Sequence, residues 1–75
     1  MCGIVGYTGA RSALPILING LKKLEYRGYD SAGVAFFTED GIDLVKTKGR
    51  LTVLEEKLQP VIDIPTHCGI GHTRW

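Results

Sequence analysis

The stretch SAGVAFFTEDGIDLVKTK, residues 31–48, decides the fold class of this 75-residue chain. Its first part, SAGVAFF, has apolar residues on both faces of an extended strand, which is typical of a strand covered on both sides. A turn follows at TEDG, where Asp40 and Gly41 form a favoured hairpin pair. The more polar IDLVKTK predicts an antiparallel strand nearer the edge of the sheet. A tight hairpin of this kind favours an α+β layered structure over a doubly wound parallel sheet.

Amphipathic helices are predicted on both sides of this hairpin. Upstream, apolar residues recur at spacings of three and four, which is the pattern of a helix with one apolar stripe: Leu14, Leu17, Ile18, Leu21 and Leu24. Ser12 is a candidate N-cap for this helix, and Gly28 is a candidate left-handed cap at its far end. Downstream, a shorter helix is marked by Leu51, Leu54 and Leu58 and ended by Pro60.

The two ends of the chain are glycine-rich and predict two further strands. CGIVGYTG (2–9) contains three glycines, and we expect it to be a central strand that a neighbour approaches closely. THCGIGHTRW (66–75) predicts the last strand. The predicted order is therefore strand, helix, strand, strand, helix, strand, within one α+β domain.

Composition restricts the classes of partner. The chain is 44% hydrophobic with a formal net charge of +1, so it is typical of a globular piece and gives no electrostatic reason to bind nucleic acid or an anionic membrane. The longest apolar run, LPILINGL, is too short to cross a bilayer, and no secretory signal opens the chain. We therefore expect a cytoplasmic protein in which Cys2 and Cys68 remain free thiols. A chain this short is marginal as an independent fold, which suggests a fragment.

Cys2 is the first candidate catalytic residue, because it stands directly behind Met1. Removal of Met1 would leave an α-amine beside the thiol, and the usual α-amine pKa of about 7.7–8.0 allows part of it to act as a base at neutral pH. An N-terminal nucleophile that is activated by its own amine needs no histidine. The alternative is that Cys2 is a small buried strand residue, as free cysteines commonly are.

Two other segments contain groups that could act on a ligand. In RGYDSAG, the simplest interpretation is a helix cap at Gly28 and an ion pair between Arg27 and Asp30 that holds the turn. In GHTRW, Arg74 could bind a carboxylate through two hydrogen bonds while Trp75 covers it. The alternative is that Arg74 is an exposed arginine without this role.

Metal and phosphate sites are not favoured by the remaining polar residues. The two histidines and two cysteines lack the spacing of a metal site, so we expect no metal and no cofactor. KTKGR (46–50) is basic, but three charges around one glycine are typical of a solvated strand end.

Three motifs in order, MCGIVGY, LEYRGYDSAG and GIGHTRW, resemble the glutaminase domain of class II glutamine amidotransferases over all 75 residues. The opening MCGI is shared by the whole class. Amidophosphoribosyltransferases tend to read HRGQDSAG where this chain has YRGYDSAG, and their counterpart of GHTRW usually lacks the tryptophan. The two differences favour the hexosamine-forming members of the class.

The resemblance implies a fold and a reaction. The fold would be the four-layer αββα sandwich of N-terminal nucleophile hydrolases, with residues 1–75 as its N-terminal portion and no sugar isomerase domain present. Cys2 would attack the side-chain amide of glutamine, form a glutamyl thioester and release ammonia, which converts fructose 6-phosphate to glucosamine 6-phosphate. The parent enzyme would be a homo-oligomer without a cofactor.

The resemblance also assigns roles to the other motif residues. Arg74 would bind the glutamine α-carboxylate, and Trp75 would begin the loop that closes over it. Arg27, Gly28 and Asp30 would support the nucleophile without taking part in the chemistry. His72 and Thr73 belong to the motif, but no physical argument from the sequence gives them a role.

Three interpretations therefore remain at this point. The first is that the chain is an N-terminal fragment of a hexosamine-forming amidotransferase. The family residues that complete the glutamine loop and the oxyanion site have no counterpart in these 75 residues. Because each missing oxyanion donor costs a factor of about a hundred to a thousand, we expect the chain alone to be inactive. The second interpretation is another class II amidotransferase, serving purine or asparagine synthesis. The third is a non-catalytic packing or interaction domain.

Overall fold

The computed structural model describes residues 2–25 and 28–75 of the chain. Its elements, in order, are β1 (Gly3–Thr8), α1 (Ala13–Leu24), β2 (Ser31–Thr38), β3 (Gly41–Lys48), α2 (Leu51–Leu58), a 3-10 turn (Gln59–Val61) and β4 (Cys68–Arg74). The predicted order of strands and helices is confirmed, and so is the α+β class. No helix in the described part of the chain is long and apolar enough to cross a membrane.

The strands form one sheet in the order β1-β4-β2-β3, and every neighbouring pair is antiparallel. β4, the last strand in the sequence, lies between β1 and β2. β1, which we expected to be central, instead lies at one edge of the sheet that the described residues form. Gly3 does mark a close approach, but the approach comes from α1: a Cβ on Gly3 would lie 2.8 Å from Cδ1 of Leu24. β3 lies at the other edge, as its polar composition predicts.

The core lies between the two helices and one face of the sheet, which we call the inner face. α1 covers β1 and β4, and α2 covers β2 and β3. The helices contribute buried leucines, and β2 contributes Ala32, Val34 and Phe36. Glycines on β4 allow α1 to come close: a Cβ on Gly71 would lie 3.1 Å from Cδ1 of Leu21. The helical stripe and the alternation along β2 therefore form one core.

The opposite face of the sheet, here called the outer face, is not covered by any described residue. It carries large apolar side chains that are each more than half exposed: Ile4, Phe37, Ile42, Leu44 and Ile70. The prediction that β2 is covered on both sides is therefore wrong for the part of the chain that the structure describes. Phe36 is buried on the inner face, whereas Phe37 is 53% exposed on the outer face.

The turns follow the predicted chemistry with a shift of one residue. Thr38 pairs with Gly41, so Glu39 and Asp40 form the two-residue hairpin loop, rather than Asp40 and Gly41. The Thr38 hydroxyl accepts a hydrogen bond from the Asp40 N–H at 3.3 Å, which holds the turn from within. Gly28 adopts the left-handed conformation expected of it, with a φ of +79°. Ser12 precedes α1 as predicted, but its side chain makes no capping hydrogen bond.

Candidate functional site

The three sequence motifs converge at one end of the sheet. Gly3, at the start of β1, pairs with Thr73 of β4, so Cys2 lies one residue further on, beside Arg74. On the other side of β4, Arg74 pairs with Ser31 at the start of β2, which in turn pairs with Lys48. Since neighbouring strands lie about 4.8 Å apart, these residues form a row across the sheet, here called the Cys2 row. The insertion of β4 between β1 and β2 therefore places residues from all three motifs side by side.

Cys2 is an exposed free thiol. Its interpretation as a buried strand residue is therefore wrong. Cys68 pairs with Thr8 at the far end of β1, about 20 Å away along a six-residue strand. A disulfide needs Cα atoms within about 7 Å of each other, so this fold does not allow the two cysteines of one chain to pair.

Arg74 is held by Asp30 through both backbone and side chain. The Asp30 N–H donates to the Arg74 carbonyl oxygen at 2.7 Å, and Nη1 of Arg74 lies 3.4 Å from Oδ2 of Asp30. The expected ion pair between Arg27 and Asp30 involves a residue outside the described part of the chain; the Asp30 carboxylate contacts Arg74 in the structure. The Arg74 side chain is still 68% exposed, so its guanidinium can reach an anionic ligand.

Tyr29 anchors the loop that carries Asp30, a role that the sequence did not reveal. Its hydroxyl donates to Oε2 of Glu25 at 2.6 Å, just beyond α1, and accepts from the Leu51 N–H at 2.7 Å, at the start of α2. Burial, followed by the hydrogen bond to Glu25, raises the pKa of Tyr29 above its usual value. The sequence signal for this contact is weak. Arg50, the N-cap residue of α2, has no side-chain acceptor, so another group has to accept the hydrogen bonds of the first N–H groups of the helix.

A second row on the outer face lies next to the Cys2 row. It runs from Ile4 through His72 and Gly33 to Lys46, and we call it the His72 row. An open depression of about 280 Å³ extends over both rows on the β2 and β3 side, with Arg74 among the residues that line it. Lys46 and Lys48 are exposed and alternate with inward-facing neighbours, which agrees with a solvated strand end.

The other residues singled out in the sequence lie near this end of the sheet. Trp75 follows Arg74 and is 70% exposed, while Thr73 is buried on the inner face. Gly28 directly precedes Tyr29 and so belongs to the anchored loop. Within residues 2–25 and 28–75 there is no group of three or more His, Cys, Asp or Glu side chains that could hold a metal ion.

The chain has sequence relatives in several organisms. No protein-family model matches it. Over all 75 residues it is 63% identical to the glutamine–fructose-6-phosphate aminotransferase [isomerizing] of Gloeobacter violaceus. The enzymes of the same name from Clostridium acetobutylicum and Thermosynechococcus vestitus are 59% and 57% identical over the same length. The chain spans about 12% of the length of each of these relatives. The resemblance seen in the motifs is thus confirmed, and the chain is related over its whole length to the N-terminal part of the glutamine–fructose-6-phosphate aminotransferases.

Proposed function

We propose that this chain is the N-terminal portion of the glutaminase domain of a glutamine–fructose-6-phosphate aminotransferase, and that Cys2 is its nucleophile. The observation that carries the proposal is the position of Cys2 beside Arg74 in neighbouring strands. In extended glutamine, about 5 Å separates the side-chain amide carbon from the α-carboxylate carbon, since four C–C bonds of ~1.5 Å join them. One glutamine molecule can therefore reach both the thiol and the guanidinium.

The reaction assigned to this end of the sheet starts after Met1 is removed. The free α-amine of Cys2 takes the thiol proton, and the sulfur attacks the amide carbon of glutamine. The resulting tetrahedral intermediate loses ammonia, which leaves with the proton that the amine returns, and a γ-glutamyl thioester remains. Water then hydrolyses the thioester to glutamate and regenerates the thiol. The first step requires an accessible thiol and a neutral amine, and the structure leaves the thiol of Cys2 exposed.

Arg74 fixes the other end of the substrate in this proposal. Its guanidinium offers paired N–H donors to the glutamine α-carboxylate, and Asp30 limits the positions that the side chain can take. Trp75, the next residue, would begin the segment that covers the bound glutamine. Gly28 and Asp30 act as supports, and Arg27 is proposed as a further support on the strength of the motif alone.

The relatives supply the remainder of the proposal. Their name states that glutamine is the donor and fructose 6-phosphate the acceptor, so we infer that the released ammonia serves to form glucosamine 6-phosphate in the full-length protein. The exposed apolar outer face is the surface that a second sheet of an αββα sandwich would cover. Donors for the oxyanion and the acceptor site would come from the rest of the protein, so we propose that the chain alone does not hydrolyse glutamine. We further propose a cytoplasmic homo-oligomer.

The test compares Cys2→Ala with Cys68→Ala in the full-length protein, so that each variant removes one thiol. We expect Cys2→Ala to lose glutamine hydrolysis by at least about a thousandfold, because the nucleophile is gone. Formation of glucosamine 6-phosphate should persist when ammonia replaces glutamine, which separates a lost nucleophile from a lost fold. Cys68→Ala should retain both reactions. Glutamine hydrolysis that survives Cys2→Ala would refute the assignment.

A second measurement addresses the binding role of Arg74. Arg74→Lys keeps the charge but removes the fork of donors, so we expect the KM for glutamine to rise by about tenfold with a smaller change in kcat. The intact mass of the purified protein shows whether Met1 has been removed, which the amine-as-base step requires.

A further inference from the structure

Gly33 gives the His72 ring its place on the outer face. It lies in β2 between His72 of β4 and Lys46 of β3, and it is buried. A Cβ on Gly33 would lie 2.9 Å from Nε2 of His72, closer than carbon and nitrogen atoms can pack. The imidazole therefore lies directly over Gly33, on the β2 side of its own strand.

The β1 side of its own strand is the other side to which the His72 ring could turn. On that side His72 pairs with Ile4, and Cys2 is the next outer-face residue along β1. Residues that are diagonal across an antiparallel pair have Cα atoms about 7–8 Å apart, a distance that an imidazole can bridge. A His72 ring turned toward β1 would thus stand beside the thiol of Cys2 and the guanidinium of Arg74.

We propose that Gly33 and His72 form a steric pair that keeps the space between Cys2 and Arg74 open for the glutamine. Gly33 is the positioning residue, and it acts through His72: without a side chain, it accommodates the ring over β2. A methyl group at Gly33 displaces the ring into another staggered conformation, on the β1 side, where it obstructs the thiol. The consequence for glutamine rests on the proposed function, whereas the consequence for access to the thiol does not.

Two other atoms also lie near the position of the added methyl group. Cγ of Lys46 would be 2.8 Å away, but this side chain is exposed and can move into solvent. The backbone carbonyl oxygen of Val45 would be 3.1 Å away, so β3 would have to yield by a few tenths of an ångström. Removing the His72 ring relieves the contact with His72 but leaves the contacts with Lys46 and Val45 in place. A variant without the ring therefore separates the effect of the ring from the effect of a displaced β3.

The experiment measures access to Cys2 in the full-length protein by its rate of alkylation with iodoacetamide, followed by peptide mass spectrometry. Cys68, the first residue of β4, pairs with Thr8 at the far end of β1 and is the internal reference in the same molecule. We expect Gly33→Ala to slow alkylation of Cys2 relative to Cys68 by about tenfold. The double variant Gly33→Ala/His72→Ala should recover to within about twofold of the wild-type rate.

A matched control is available on the same face of the sheet. Gly6→Ala also adds one methyl group to the outer face, but among the described residues the nearest atom, Cγ2 of Ile70, is 3.9 Å from it, an ordinary contact. We expect this variant to leave the Cys2 rate unchanged. If Gly33→Ala does not fold, His72→Trp tests the same obstruction with Gly33 intact, since an indole is too large for the place over Gly33, and it should slow alkylation similarly.

Glutamine kinetics provide the second readout. The KM for glutamine should rise by about tenfold in Gly33→Ala and recover in the double variant, with kcat changing less. A normal Cys2 rate in Gly33→Ala, or in His72→Trp, overturns the inference, and so does a double variant that remains as slow as Gly33→Ala. If the wild-type protein does not hydrolyse glutamine, the proposed function fails, and the alkylation rates still decide whether His72 and Gly33 control access to the thiol.

Discussion

Replacing Tyr29 by phenylalanine removes one oxygen atom that serves two helices. The hydroxyl accepts from the Leu51 N–H at 2.7 Å, and the residue at the N-cap of α2, Arg50, makes no side-chain capping hydrogen bond. Loss of a helix cap costs about 0.5–2 kcal/mol. Because the contact is only partly buried and water can replace some of it, we expect about 1 kcal/mol, which corresponds to a roughly fivefold higher population of the opened helix end. The exposed hydrogen bond to Glu25 adds less.

Hydrogen exchange monitored by mass spectrometry measures this opening in the full-length protein. Tyr29→Phe should reduce the protection of the amides of α2 by about fivefold, with no such change in β1. Tyr7→Phe is the matched control, since the Tyr7 hydroxyl also accepts from a backbone N–H, that of Arg11, at 2.9 Å. In Tyr7→Phe, the loss of amide protection should be confined to residues near Arg11. Unchanged protection of α2 in Tyr29→Phe would show that the hydroxyl does not hold the helix.

The same contact has a pH dependence with a defined sign. Burial raises the pKa of Tyr29 in the folded protein above its ordinary value of 10.0, so the protonated hydroxyl is favoured by folding. The associated stability is fully present below pH 10.0 and is lost as the pH rises through the higher folded-state pKa. Thermal unfolding between about pH 9 and pH 11 should therefore show a decline that Tyr29→Phe reduces. An identical decline in both proteins would contradict the assignment.

Three further substitutions test the packing and the site. Oγ1 of Thr47 is buried without a hydrogen-bond partner among the described residues, so Thr47→Val should raise the free energy of unfolding by up to about 1 kcal/mol in chemical denaturation; a loss of stability would show that the hydroxyl is satisfied. Gly20→Ala should lower the free energy of unfolding, because the added Cβ would lie 2.6 Å from Cγ1 of Val5. This clash outweighs the gain of about 1 kcal/mol in helix propensity. A higher free energy of unfolding in the same measurement would mean that α1 can move away from β1 at little cost. Asp30→Asn should raise the KM for glutamine by less than about threefold, since the exposed pair with Arg74 is weak and the backbone hydrogen bond remains; a tenfold rise would make Asp30 a substrate-binding group.

Local patterns predicted the elements of this fold well. The stripe from Leu14 to Leu21 and the hairpin around Asp40 both depend on neighbours in sequence, and both are present. The hairpin turn is displaced by one residue because Gly41 serves as the closing partner of Thr38, and composition does not fix that register. The element types could therefore be read from the sequence, and their register could not.

Long-range neighbours were harder to predict. The glycines of β1 indicated a close approach but not its direction, so the strand was expected in the centre of the sheet and lies at an edge. Cys2 and Arg74 were each identified from the sequence, but their adjacency follows only from the insertion of β4 between β1 and β2. Tyr29 was missed because its hydroxyl acts on an amide 22 residues away. Contacts of this kind depend on topology, which residue spacing does not contain.

The position of β4 also determines when the candidate site is assembled during protein synthesis. The hairpin of β2 and β3 can pair as soon as it leaves the ribosome, but β1 has to wait for β4, and 60 positions separate Thr8 from Cys68. At about 5–20 residues per second, β1 is without its partner strand for ~3–12 s. During that time the nascent chain carries the thiol of Cys2 but not yet Arg74, the group proposed to hold the substrate. An incomplete chain is thus unable to bind glutamine through Arg74, and synthesis of β4 joins β1 to the other strands and brings Arg74 beside Cys2 in one step.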